Sequence, residues 1–298
     1  MDSSVFSVLL FAVGAAVGSF LNVLAFRYDP DKPIFRRGII GGRSHCMGCG
    51  KTLLWYELIP IVSFVIQRGR CRSCGMRLSI QYPFLEILGG LIAFGIPFIT
   101  FEVYDVALHR IDGALPLWYF FLVGIFELSA FIYLFISAVD ARLTIIPDQS
   151  NLLLIVFAGL KIWILTVASI WSDFTGSFVG HYAAIFGFRE NILLNHIVAA
   201  LFGLAFFGII WGLSRGRAMG MGDVKLAGVT GLLLGWPDTM FALLLAFIVG
   251  ALFGILLIVR RKKNMKSSVA FGPFVAIGVA LIVSCGQKLM DGYFALFP

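Results

Sequence analysis

The chain has 298 residues, of which 60% are hydrophobic and only 13% charged, against about 25% charged in an ordinary soluble domain. So few polar groups cannot cover a water-facing surface, which excludes a soluble globular enzyme, a disordered protein and a disulfide-rich secreted scaffold and leaves a polytopic membrane protein. The net charge of +7, from 23 Lys and Arg against 16 Asp and Glu, would suit nucleic acid in a soluble protein; in a membrane protein the position of each charge matters more than the sum.

A spanning helix needs about 20 mostly apolar residues. Eight runs qualify as candidates: 4–26, 81–99, 116–139, 149–170, 192–213, 222–235, 238–259 and 268–290. The sixth is short and contains glycine, as a re-entrant segment does. The first is too long for a signal peptide and lacks a basic start, with Asp2 alone before the apolar run. Within it, Gly14 and Gly18 form a small-xxx-small pair that predicts close helix packing.

The loops between the runs alternate in charge. Residues 27–80 hold ten Lys and Arg against three acids, 139–149 hold Arg142, 214–225 hold Arg215, Arg217 and Lys225, and 260–267 hold five basic residues. Residues 100–115 and 171–191 hold one Arg each, among acids. One side therefore collects 19 of the 23 basic residues, and that side is predicted to be cytoplasmic, with both termini outside. The basic balance is explained by orientation, so no nucleic-acid partner is needed.

The one sizeable soluble segment carries four of the five cysteines, Cys46-Met47-Gly48-Cys49 and Cys71-Arg72-Ser73-Cys74, each pair followed by a glycine, Gly50 or Gly75. A C-x2-C turn aims two thiolates at one point, and two such turns complete a tetrahedral sulfur site that suits Zn²⁺. Disulfides or redox pairs, and thiols without a metal, are the other readings; a reducing cytoplasm disfavours stable disulfides. Four thiolates leave no open position, so the metal is expected to be structural. His45 reads as a neighbour rather than a ligand, and Cys285 reads as core packing in the last helix.

Acids at membrane edges are functional candidates, because ionisable groups in spanning helices are costly. Asp140 ends the third run, in VDARLTIIPDQSN, and Asp223 opens the sixth, in RAMGMGDVKLAG. The charge-derived topology brings both to the cytoplasmic edge. Two adjoining carboxyl groups cannot easily both ionise, so one keeps a proton as general acid while the other activates water. The opposing reading is structural: Asp223 complements a helix dipole, and Asp140 pairs with Arg142 or Lys225. Asp148, after Pro147, reads as a helix start that holds the loop beneath the site. Glu86 and Glu127 read as bundle-internal hydrogen-bonding groups, and Lys161 and Lys288 as snorkelling or facing a polar interior.

At this point the chain resembles the bifunctional type IV prepilin peptidases of pilus and type II secretion systems. The resemblance is carried by GSFLNVLAFR (18–27), the two cysteine pairs, YELIPIVSFVIQRGRCRSCG (56–75), QYPFLEILGG (81–90), DARLTIIPD (140–148) and GMGDVKLAG (220–228). It implies an all-α membrane aspartic protease of the GxGD type, with about eight transmembrane helices and a small cytoplasmic zinc-binding domain between the first and second. Matched by motif, Asp140 and Asp223 are the catalytic pair, with Asp148, Gly220, Gly222 and Lys225 in support and Cys46, Cys49, Cys71 and Cys74 as metal ligands. The implied substrates are prepilins or pseudopilins with a short basic leader, cut at the cytoplasmic face of the bacterial inner membrane. The new N-terminal residue is then methylated from S-adenosylmethionine.

The resemblance further implies three parts: a first span over 1–26, the cysteine domain over 27–80 and the peptidase over 81–298. No glycine-rich nucleotide fold is visible; for cofactor binding the resemblance points to the cysteine domain and its flanks, with Glu57 and Glu86 as candidates. Segments 100–115 and 171–191 look longer than the family's turns and suggest contacts with partners or lipid. Two other functions compete: a peptidase without methyltransferase activity, and a zinc-stapled scaffold or transporter. Transporters put key polar residues near the midplane and often show inverted repeats, whereas here the key acids sit at the edge and no repeat is apparent.

Overall fold

A computed structural model describes residues 3–32, 41–105, 114–170, 176–217, 219–260 and 269–296. Residues 106–113 and 171–175 and most of the basic run 260–267 lie outside the described residues. Among those described there is no strand; His45 pairs with Thr52 and Arg70 with Arg77 in isolated bridges. The helices are α1 Ser3–Arg27, the short α2 Val62–Ile66, α3 Gln81–Val103, α4 Leu117–Leu143, α5 Asp148–Val167, α6 Ile192–Ser214, α7 Met221–Leu234, α8 Asp238–Val259 and α9 Gly272–Leu296.

Seven of these helices are long and apolar enough to cross a bilayer, where the sequence gives eight candidates. The difference is α7, which has 14 residues and is about 21 Å long at 1.5 Å per residue. Its composition explains the shortness. Ten of its residues are buried, so it is wrapped by protein rather than lipid and need not match the hydrocarbon thickness.

The chain forms two compact units, residues 1–97 and 98–298. In the first, α1 and α3 run antiparallel. Gly14 faces Gly89, Gly18 faces the backbone of Leu85 and Glu86, and Gln81 Nε2 donates to Asn22 Oδ1 at 3.2 Å. A Cβ at Gly14 would strike the Gly89 carbonyl, so the glycines permit backbone contact, as their spacing predicts. Phe26 stacks on Tyr82 at 5.6 Å beyond them. Residues 41–80 connect the two helices.

In the second unit α7 lies between α5 and α6, while α9 packs on α8 and α4. Glycines again set the distance: a Cβ at Gly203 would lie 2.5 Å from the Ala227 carbonyl oxygen, and one at Gly231 would collide with Ala199 and Ala200. α7 therefore runs antiparallel to α6. At its far end Lys161 is fully buried, and its Nζ donates to the Leu233 carbonyl at 2.6 Å and lies 3.0 Å from His196 Nε2. Lys161 thus faces a polar interior and satisfies a carbonyl that a helix ending inside the bundle leaves open. Residues 176–191 fold back over this end. Asp238 Oδ1 accepts from the Ser177 hydroxyl at 2.9 Å and the Val179 N–H at 3.1 Å, and Trp236 Nε1 donates to the Phe186 carbonyl. The described part of segment 171–191 is therefore a cap on its own bundle. Cys285 corrects its sequence reading, because it is exposed on α9 rather than packed in the core; a membrane helix can turn an apolar thiol outward.

Candidate active site and metal centre

Asp140 lies in the last turn of α4 and is 4% exposed. The helix ends four residues later at Thr144, which is left-handed (φ 54°) and donates its N–H to the Asp140 carbonyl at 2.8 Å. The carboxylate points across the bundle to the start of α9, where Oδ2 accepts the Gly272 N–H at 2.8 Å. Asp223 is the third residue of α7, 9% exposed, and its Oδ2 accepts the Gly220 N–H at 3.1 Å. Gly222, beside Asp223, packs on Ile146 in the loop that follows Asp140, which brings the two acids to the same end of the bundle.

Each carboxylate thus meets a helix N-terminus, one its own and one from a distant segment. Unpaired N–H groups and the helix dipole favour negative charge there. That field offsets part of the repulsion between two buried acids. One oxygen of each is held by a glycine amide, and among the described residues Oδ1 of each accepts no hydrogen bond. The free oxygens are what a shared water requires.

The supporting residues fall around this pair. Lys225 Nζ bonds Asp148 Oδ1 at 2.8 Å rather than Asp140, with both side chains largely exposed. Asp148 is the first residue of α5, behind Pro147 at the cap position, and its side chain ties α5 to α7 instead of capping the helix. A Cβ on Gly222 would lie 3.2 Å from Ile146 Cβ, so that glycine lets α7 press against the loop after Asp140. Gly220 donates the amide that orients Asp223. Gly272 is absent from the sequence reading. A Cβ there would lie 2.8 Å from Asp140 Oδ2, and the only signal for it is the Phe271-Gly272-Pro273 start of the last helix.

The four knuckle sulfurs all lie within 4.8 Å of one another, and Cys46 Sγ is 3.7 Å from Cys74 Sγ. A tetrahedral zinc–thiolate centre with Zn–S near 2.3 Å places sulfurs about 3.8 Å apart, so the donor set fits a metal ion. The two knuckles are copies. Gly50 N–H donates to the Cys46 carbonyl and Gly75 N–H to the Cys71 carbonyl, both at 2.9 Å, while Cys46 N–H reaches Lys51 and Cys71 N–H reaches Met76. Gly50 and Gly75 take φ of 69° and 71°, which only glycine adopts freely. The N–H groups of Cys49 and Gly48 draw the Cys46 thiol down to about 6. The Met76 N–H also favours the Cys74 thiolate, but burial and the neighbouring thiols push Cys74 up to about 11. Such opposed thiols need a cation before all can ionise together.

Glu57 and Glu86 do not meet as a pair. Glu57 Oε2 accepts the Leu54 N–H at 2.9 Å, and Glu86 Oε2 accepts the Ile61 N–H at 2.6 Å. Both are buried, and they fasten the start and the middle of the chain between the knuckles.

Residues 12–100 match the family of bacterial peptidase A24 N-terminal domains, and residues 127–255 match the type IV leader peptidase family. A prepilin leader peptidase/N-methyltransferase of Burkholderia pseudomallei (strain 1026b) is 30% identical over 93% of this chain and 85% of its own length. One from Myxococcus xanthus is 30% identical over 87% of this chain, which spans 65% of that protein, and one from Bacillus subtilis is 27% identical over 96% of each. No solved structure matches. With both halves matched in order and a relative 30% identical over most of both chains, the chain belongs to the type IV leader peptidase family.

Proposed function

We propose that this protein removes the basic leader from prepilins or pseudopilins at the cytoplasmic face of the bacterial inner membrane and then methylates the new N-terminal residue. The observation that carries the cleavage reading is the pair of carboxylates at two helix N-termini, each with one oxygen tied to a glycine amide and one oxygen open. With one carboxyl protonated, the ionised partner takes a proton from a water held between the open oxygens, and that water attacks the scissile carbonyl carbon. The protonated carboxyl hydrogen-bonds the carbonyl oxygen as charge develops there. A proton then passes to the leaving amine as the C–N bond breaks. Asp140 and Asp223 are the catalytic residues in this reading. Gly220 and Gly272 orient them, Gly222 lets the two motifs touch, and the Lys225–Asp148 pair holds the loop below.

Cys46, Cys49, Cys71 and Cys74 would hold a structural Zn²⁺, which closes the two knuckles into one domain too small to sustain a core alone. S-Adenosylmethionine supplies the methyl group, and Glu57 and Glu86 are the candidate residues on that side of the protein. Residues 1–26, 27–80 and 81–298 divide as first span, cysteine domain and peptidase. The loop charges put the cysteine domain in the cytoplasm and both termini outside.

Co-expression with a prepilin, followed by mass spectrometry of the pilin N-terminus, reads cleavage and methylation together. The wild type is expected to give a trimmed, methylated terminus. Asp140→Asn or Asp223→Asn is expected to lower cleavage by at least about 10²–10⁴-fold, the usual contribution of a positioned acid or base, with the protein still folded. Full processing by either variant excludes the pair. A trimmed but unmethylated terminus from the wild type leaves the peptidase alone.

A further inference from the structure

We propose that the chain between the two knuckles, Leu53–Ile66, is an interfacial anchor that lies in the headgroup layer of an anionic bilayer. The proposal rests on the membrane reading of α1 and α3 and is independent of the catalytic assignment. Three observations carry it. The first is exposure: Trp55 is 77% exposed, Val65 65%, Ile66 62%, Val62 49% and Leu58 43%. A small domain standing in water does not display so many large apolar side chains in one short stretch.

The second observation is depth. The Ile61 N–H donates to Glu86 Oε2 at 2.6 Å. Glu86 is the sixth residue of α3, about 7–8 Å along the helix from Gln81 at 1.5 Å per residue. The segment therefore does not stand off from the spanning helix; it is pinned beside its second turn, at the depth of about 5–10 Å at which interfacial helices bury their apolar faces. The backbone is bent to reach that point. Ile61 takes φ 63° and ψ −53°, and the Val62 N–H turns back onto the Pro60 carbonyl at 2.6 Å. This is a γ-turn of the strained hand, and a β-branched residue rarely occupies it. The buried Glu86 carboxylate holds it, and α2 begins at the next residue.

The third observation is charge. Residues 41–80 hold six Lys and Arg and one acid, Glu57. That acid is buried and turned onto Leu54 N–H, so the exposed face is purely basic. Arg72 lies over the Tyr56 ring at 5.2 Å, which puts a guanidinium group at the rim of the apolar stretch, and Arg70 and Arg77 belong to the same knuckle, their backbones paired in an isolated bridge. Apolar residues with Trp and Tyr at the margin, rimmed by arginine, match an anionic phospholipid surface. A basic leader peptide would be repelled from the same rim.

The test uses the full chain in nanodiscs containing phosphatidylglycerol and phosphatidylcholine, with the photoreactive residue benzoylphenylalanine in place of Val65. Leu252, 63% exposed on the spanning helix α8, carries the probe in a parallel sample to calibrate lipid capture. Lipid adducts at position 65 comparable to those at 252, enriched several-fold in phosphatidylglycerol, are the expected result. Adducts to protein alone, or none where the probe at 252 captures lipid, overturn the anchor. Replacing Arg70, Arg72 and Arg77 by Gln is expected to abolish the phosphatidylglycerol enrichment; if the enrichment persists, the basic rim is not its source. Placing the probe at Trp55 repeats the measurement should the Val65 variant misfold.

Discussion

Gly272 carries an argument that no charged residue in the site can make alone. Its amide holds Asp140 Oδ2 at 2.8 Å, and a Cβ at the same position would stand 2.8 Å from that oxygen. Gly272→Ala must therefore displace the carboxylate, the start of α9, or both. Misplacement by about 1 Å can reduce a rate by about 10²-fold, so Gly272→Ala is expected to lower kcat toward that extent while KM changes little. Steady-state kinetics on a prepilin peptide checks it; an unchanged kcat would mean that the amide contact does not orient Asp140. Asp140 and Asp223 were legible in the sequence because acids at membrane edges stand out. Gly272 was not, because it lies 132 residues from its partner and a backbone donor leaves no trace in side-chain chemistry. Lys161 and His196 met the same obstacle: each could be seen as a polar residue in an apolar run, but not that they converge where α7 ends.

At the scale of elements, two devices position the chemistry. The first is α7, whose length is set by burial and by the Lys161 amine on its terminal carbonyl rather than by lipid. The hydropathy pattern revealed the segment and its glycines; its wrapping by α5 and α6 is a packing fact, outside what a linear pattern records. The second is the pair of knuckles, where the C-x2-C-G repeat was legible in full and only the opposed thiol acidities were not. Because zinc binds thiolates, protons compete with the metal and zinc loss is expected as pH falls, with the sign set by the ligands' need to deprotonate. Gently purified protein is expected to hold about one zinc per chain, as a single four-cysteine site requires. Cys46→Ser with Cys74→Ser is expected to hold none. Elemental analysis of both proteins settles the matter, and metal-free wild type would reject the site.

Across the whole molecule, counting helices by length and following the chain's path give opposite answers for the C-terminus. Seven long spans alone would put the two termini on opposite faces. The contacts of α7 argue otherwise. Lys225 near its start meets Asp148 at the start of α5, and Leu233 near its end meets Lys161 well along α5, so α5 and α7 run parallel. The stacking of Gly203 on Ala227 and of Gly231 on Ala199 makes α6 antiparallel to both. The chain therefore passes through the bundle at α7 as it does at the longer helices, although α7 is too short to be counted. With a crossing at α7, eight passes are expected, an even number that would return the C-terminus to the side of the N-terminus. By their charge, the basic loops are expected to lie on the cytoplasmic face. A reporter that is active only outside the cytoplasm, fused after Pro298, is expected to be active, and the same reporter inserted after Arg217 is expected to be silent. An inactive C-terminal fusion beside an active one in the 100–115 segment would mean that α7 does not carry the chain across, and the side assigned to the last two helices would have to be reversed.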